Sequence, residues 1–288
     1  MKSILTYTLI LLTLPYISMT NKSAYEIFTK EGKVTTYEQL LKQAQSADVI
    51  LFGELHNNPI CHWLQLELTK DLHQSIGSNL ILGAEMMESD NQLLIDEYLK
   101  GQISKKSFED EARLWKNYAT DYKPLLEFAK TNQLPFIATN IPRRYASAVF
   151  TGGIEVLNQL STTAKQFIAP LPIEIDLALP GYQAMLEMGG HGAENAENMP
   201  KAQAVKDATM AHFILQKTGK GKQFIHYHGT YHSNNYEGIV WYLKKQNPKL
   251  KILTIGSVEQ TNINSLEEEN LNLADFILCI PENMTKTH

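Results

Sequence analysis

The chain has 288 residues, 43% of them hydrophobic, enough to bury a large core with a smaller lobe beside it. Its formal net charge is −5, from 26 basic and 31 acidic residues without a long basic run, which argues against nucleic acid as a partner. The 16 glycines and 11 prolines are scattered, so neither a low-complexity linker nor a repeat divides the chain.

At the N-terminus, Lys2 followed by the mostly apolar run Ile4 to Met19 reads as a secretory signal over residues 1–22. About 15 apolar residues are short for a membrane span and suit an export signal, with an uncleaved anchor as the alternative. A periplasmic or secreted protein is expected. The first cysteine is Cys61, well past the signal, so no lipid anchor is indicated. Cys61 and Cys279 are expected to be unpaired.

The first strand is predicted over 48–53 in DVILFGELHNNPICHW, with Gly53 allowing the turn. Glu54 and His56 follow, two residues apart and pointing the same way in extended backbone, so both can face one cation or one proton-transfer partner. A helix cap is the plainer role for Glu54. Pro59 and the spaced Leu64, Leu68 and Leu72 mark a helix. The second strand, 79–84, ends in Glu85 beside Met86 and Met87, where a carboxylate needs a partner such as a metal, Arg143 or Lys70.

A third strand over 134–138 exits at Asn140, and Pro142 opens a helix beginning Arg143, Arg144. Two guanidiniums at a helix N-terminus suit carboxylate or phosphate groups. The fourth, 223–228, lies in KQFIHYHGTYHSNNYEGI. Its alternation puts His226 and His228 on one face, with His232 on the loop beyond Gly229. Clustered imidazoles are what borderline metals and haem iron prefer. His226 is assigned a structural role, His228 and His232 a place in the site. Further strands are predicted over 250–256 and 276–280.

Strands alternating with helices give an α/β fold: a parallel, mixed-edge sheet flanked by helices with a smaller all-helical lobe. The α/β domain is assigned to 23–149 and 219–288 and the lobe to 150–218, with helical spacing at 155–160, 182–188 and 201–215. Four strand exits bearing polar residues should converge at one edge of the sheet. Glu54, His56, Glu85, His228 and His232 form the candidate metal site, for Zn or Mn, supported by Asn140.

The blocks GELHNNPICHWLQLELTKDL, LGAEMMESDNQLLIDEYLKGQIS, Trp115 with Tyr122-Lys-Pro-Leu-Leu, IATNIPRRYA, MPKAQAVKDATMAHFI and GTYHSNNYEGI, in that order, resemble the ChaN family of haem-binding uptake proteins. That family lies in the wider Tiki-like group with metal-dependent proteases and erythromycin-esterase-like enzymes. The resemblance implies haem held between two lobes and stacked across a homodimer, and an outer-membrane uptake system as a further partner. It also implies a tyrosine on iron. Tyr182 is the first choice, and Tyr145, Tyr231 and His191 are rivals. Arg143 or Arg144 would meet a propionate, and Met185 and Met188 would touch the macrocycle. The histidine-rich HYHGTYH departs from the more apolar strand expected of the family. Two readings therefore compete: an exported haem-binding protein of iron uptake or storage, and a divalent-metal-dependent hydrolase using Glu54, His56, Glu85 and His232.

Overall fold

The computed structural model describes residues 22–188 and 195–288. The expected signal segment, up to residue 21, and His191 lie outside the described residues. Among the described residues eight strands form one sheet: β1 (Glu26–Thr29), β2 (Val34–Thr35), β3 (Val49–Glu54), β4 (Leu80–Glu88), β5 (Phe136–Asn140), β6 (Gln223–Gly229), β7 (Ile252–Gln260) and β8 (Phe276–Pro281). Their order is β2-β1-β8-β7-β3-β6-β4-β5. The six from β8 to β5 run parallel, and β1 and β2 add an antiparallel edge against β8.

Among the described residues ten helices connect the strands or cover them: α1 (Tyr37–Ala44), α2 (Pro59–Ile76), α3 (Gln92–Leu99), α4 (Lys105–Glu111), α5 (Lys123–Thr131), α6 (Arg143–Gly152), α7 (Thr162–Lys165), α8 (Pro180–Met188), α9 (Asn198–Lys217) and α10 (Ile239–Gln246). Strand side chains alternate between two cores. Ile50, Phe52, Leu82 and Tyr227 pack with Leu64, Leu68 and Leu72 of α2 on one face. Val49, Leu51, Ile81 and Phe224 pack with Met210 and Ile214 of α9 and Leu243 of α10 on the other. Helices on both faces explain the continuous apolar runs, since a parallel strand is buried on both sides.

The chain fills one half of the parallel sheet with β4 and β5, returns to insert β6 between β4 and β3, and then continues outward to β7 and β8. Strand exits beside such a reversal form a crevice. Register sets the row: Glu54 pairs with Gly229, and Ala84 with Tyr227, so Glu85 emerges just beyond the last paired row. Asn58 caps α2 by accepting from the Ile60 N–H at 3.0 Å, which turns the chain sharply after His56. Cys61 and Cys279 are both free and buried, as expected. Among the described residues no helix is long and apolar enough to cross a membrane.

Candidate functional site

Glu54 is 1% exposed, so its charge has to be met by protein groups. Oε1 accepts from His56 Nδ1 at 2.9 Å and from the Tyr122 hydroxyl at 2.8 Å, while Oε2 accepts from Gln65 Nε2 at 2.6 Å. The contact fixes the imidazole with its Nδ1 proton toward Glu54 and its Nε2 toward Gly229. A Cβ on Gly229 would stand 2.7 Å from that nitrogen. Burial opposes charge on His56, but Glu54 and Glu85 outweigh it and raise its pKa above the ordinary value.

Glu85 accepts from the Gly229 N–H at 2.8 Å through Oε2 and lies 3.2 Å from His232 Nε2 through Oε1. On the far side of that ring, His232 Nδ1 meets Asp207 Oδ1 at 2.5 Å. Tyr182 then donates its hydroxyl to Asp207 Oδ2 at 2.8 Å. Burial disfavours the imidazolium, but two flanking carboxylates push His232 up to about 10. Burial likewise opposes charge on Glu85, yet His232, His56 and the Gly229 N–H hold it well below the usual carboxylate range. His232 is therefore a fixed cation between two acids.

Beneath this lies a second histidine pair. His226 Nε2 meets Thr139 Oγ1 at 2.7 Å, the two Nδ1 atoms of His226 and His228 are 3.1 Å apart, and His228 Nε2 meets Ser233 Oγ at 2.8 Å. Both rings have no exposure to solvent. His226 is structural, as the sequence indicates. His228 is not part of the open site, because the turn after Gly229 folds back and spends its Nε2 on Ser233.

A cavity of about 870 Å³ opens at this edge of the sheet. His56, Glu85, Gly229 and His232 form its floor, and Leu114, Trp115, Ile141, Ala146 and Met185 supply apolar surface. Arg113, Lys116, Arg143 and Lys206 bring cations to it. Asn140 lies against it too, 9% exposed and with an Oδ1 that has no hydrogen-bond partner. The separated exits of β3, β4, β5 and β6 thus meet at one hollow.

Among the described residues, no group of three or more His, Cys, Asp or Glu side chains stands so as to hold a metal ion. The expected Zn or Mn cluster of Glu54, His56, Glu85, His228 and His232 does not assemble. The physical reason is that Glu54 already receives three donors, and His228 faces Ser233.

The family of haem-binding uptake proteins named ChaN, in the Tiki superfamily, matches residues 40–243. The chain belongs to this family. ChaN of Campylobacter jejuni, in a structure described as showing cofacial haem binding, superposes with a TM-score of 0.65 at 17% identity, covering 88% of this chain and 96% of that one. An erythromycin esterase, the H289N mutant of EreC in its open conformation, superposes with a TM-score of 0.50 at 11% identity, covering 88% and 97%. At these identities both similarities speak to the fold. No curated protein sequence matches the chain.

For a ChaN-family protein the cavity has the right constitution for haem: apolar walls, cations for two propionates, and nitrogen or oxygen donors for iron. The sequence-selected residues divide around it. Arg143 and Met185 line it, whereas Arg144 is paired with Asp90 and stacked on Tyr145, and Met188 is 73% exposed away from it. Tyr182, the first choice for iron, does not line the cavity. It is 4% exposed, and burial together with Asp207 pushes its phenol far above the ordinary value, so the oxygen an iron would need is a proton donor to Asp207 instead. Of the rivals, Tyr231 lines the cavity and is 76% exposed.

Several supporting residues escape the sequence reading. Gln65 and Tyr122 cradle Glu54, and Asp207 holds His232, with the Gln203 amide packed beside the same ring. A signal for the second pair exists: Gln203 and Asp207 sit four apart on α9 and so share a helical face with polar groups amid alanines.

Proposed function

We propose that this chain binds haem in the cavity at the carboxyl ends of β3, β4, β5 and β6, as an exported protein of haem or iron uptake. The observation that carries the reading is the combination of apolar wall and cationic rim around one hollow of about 870 Å³, in a chain of this family. Trp115, Leu114, Ile141 and Met185 would face the macrocycle. Arg143 and Lys206 would meet propionates, and the Asn140 amide, which lines the same cavity, could offer its Nδ2–H to a propionate oxygen. Tyr231 offers an accessible phenol oxygen, a hard donor suited to ferric iron. The floor of His56, Glu85 and His232 would supply fixed charge beneath the ring without touching iron.

The N-terminal apolar run supports export to the periplasm or beyond, the family supports a part in haem uptake, and the reading extends to a homodimer working with an outer-membrane uptake system. Haemin titrated into the protein, followed at the Soret band, tests the reading. A saturable shift is expected, weakened in Tyr231→Phe and Arg143→Ala and unchanged in Tyr182→Phe. Absence of a saturable shift in the wild type would overturn it. The hydrolase reading needs a divalent ion, and stoichiometric zinc or manganese binding lost in His56→Ala would restore it.

A further inference from the structure

In a chain whose net charge is −5, two short segments are dense in lysine and hold no acidic residue. Segment 217–222 carries Lys217, Lys220 and Lys222, and segment 244–251 carries Lys244, Lys245, Lys249 and Lys251. Helix ends account for part of this. Lys217 lies in the last turn of α9, and Lys244 and Lys245 in the last turn of α10, where cations complement the carbonyl end of a helix. Lys220, Lys222, Lys249 and Lys251 lie beyond those helices, so the dipole does not explain them.

The sheet brings the two segments together. β6 and β7 flank β3 and run parallel to it, so the loops leading into them meet at the amino edge of the sheet, the edge opposite the cavity described above. Register fixes the row: the Asp48 N–H donates to the Lys251 carbonyl at 2.8 Å, and the Phe224 N–H donates to the Asp48 carbonyl at 2.9 Å. Two strand spacings put the ends of the two loops about 10 Å apart.

All seven lysines are exposed, and among the described residues only Lys245 is ion-paired, with Glu174. The nearby acids are turned onto the protein itself. Asp48 Oδ2 accepts from the Lys251 N–H at 2.9 Å, and Asp275 accepts from the Thr254 N–H at 2.9 Å and the Tyr236 hydroxyl at 3.0 Å. A second cavity, of about 430 Å³, opens at this edge, with Lys244, Lys249 and Lys251 on its wall beside Gln43, Ser46 and Asp275. The edge thus gathers surplus positive charge around a hollow with room for a phosphate group.

The composition of the patch selects among anions. Protein interfaces centre on buried aromatic and apolar anchors and are poor in lysine. Among the described residues, none of the exposed large apolar side chains lies in either segment. Lysines grouped without such anchors suit the diffuse negative charge of phospholipid headgroups, to which each contributes about a fivefold gain in binding.

We propose that the amino edge of the sheet docks on an anionic phospholipid surface, with a headgroup phosphate entering the cavity among Lys244, Lys249 and Lys251. Docked in this way, the molecule turns the carboxyl ends of β3, β4, β5 and β6 toward water. The proposal does not depend on haem.

The test floats the full chain with vesicles of phosphatidylcholine alone and of phosphatidylcholine mixed with phosphatidylglycerol. The N-terminal apolar run is common to every protein compared, so the neutral vesicles measure its contribution. Wild type should bind the mixed vesicles more tightly, by a margin that shrinks as salt rises. Lys249→Gln with Lys251→Gln should weaken that binding about 25-fold, whereas Lys105→Gln with Lys106→Gln, an equal change of charge on α4, should leave it close to wild type. Equal binding of wild type to both kinds of vesicle, or equal losses in the two double variants, overturns the proposal. Glycerol phosphate that binds wild type in calorimetry and displaces it from the mixed vesicles would assign the cavity to a free phosphorylated molecule and overturn the membrane docking.

Discussion

His226 and His228, side by side with no exposure to water, are neutral in the folded protein. Burial lowers His226 to about 3 and holds His228 well below its ordinary value, with the His232 charge disfavouring both and His226 also disfavouring His228. In the unfolded chain each titrates near 6.5. Below that pH the unfolded state binds protons that the native state refuses, so stability falls as pH falls, by up to about 1.4 kcal/mol per pH unit for each ring. His232 has the opposite sign: its raised pKa gives stability that is complete below about 6.5 and is lost as pH rises through about 10. Glu85, held low, contributes above the usual carboxylate range and loses its contribution in acid. Stability should therefore peak near neutrality. Urea denaturation at pH 7 and pH 5 checks the acid limb. The double variant His226→Asn with His228→Asn should be less stable at pH 7 and should lose much less than wild type on going to pH 5. Equal losses in the two proteins would mean the pair is not the source of the acid sensitivity.

At the level of elements, the decisive contact is between the end of β3 and the turn after β6. A Cβ on Gly53 would lie 2.9 Å from the Thr230 Cα and 3.1 Å from the Ile255 carbonyl, and neither is the tip of a side chain that can swing away. Ser257 also donates to the Gly53 carbonyl at 2.7 Å, locking the strand from its other neighbour. Gly53→Ala is expected to cost about 1–3 kcal/mol through overpacking. It should also weaken haem binding, because the displaced turn carries Tyr231 and His232. A urea midpoint and a haemin titration on the same variant measure both, and wild-type values for both would show that the turn yields freely. The strands at this edge were legible in sequence because runs such as Val49 to Phe52 and Leu80 to Leu82 are buried on both faces. The β1–β2 hairpin was not: it comprises EIFT and a two-residue partner, too short for alternation to register. His228 was misplaced for a related reason. Period-2 alternation gave its face correctly, but not that the following turn would fold back and cover it with Ser233.

Across the whole molecule, the site is assembled from residues far apart in sequence, and what sequence could show was set by which of them sit at strand ends. Glu54, Glu85, Asn140 and Gly229 are legible there because a parallel sheet brings all its carboxyl ends to one edge. Gln203 and Lys206, which line the cavity, and Asp207, which backs His232, are not, since they come from α9, and nothing in helical spacing says which strand a helix will cross. That crossing also bears on the two-lobe description. Ala208, Met210, Ala211 and Ile214 of α9 share a core with Val49, Leu51 and Phe224 of the sheet, while Ala202 and Val205 of the same helix pack with Ala146 and Val149 of α6. Pulling the segment 150–218 away would take α9 from the sheet and from α6, and so open both clusters at once. Thermal or urea unfolding should therefore be a single transition by fluorescence and by circular dichroism alike. Haemin bound only to the native state should move that one transition as a whole. At a free concentration of a hundred times its dissociation constant the gain is about 2.7 kcal/mol, which for a chain of this size raises the melting temperature by about 5 °C. Two transitions, with haemin shifting one and leaving the other in place, would instead mean that residues 150–218 fold as a lobe of their own and that the cavity is a hinge between independent units.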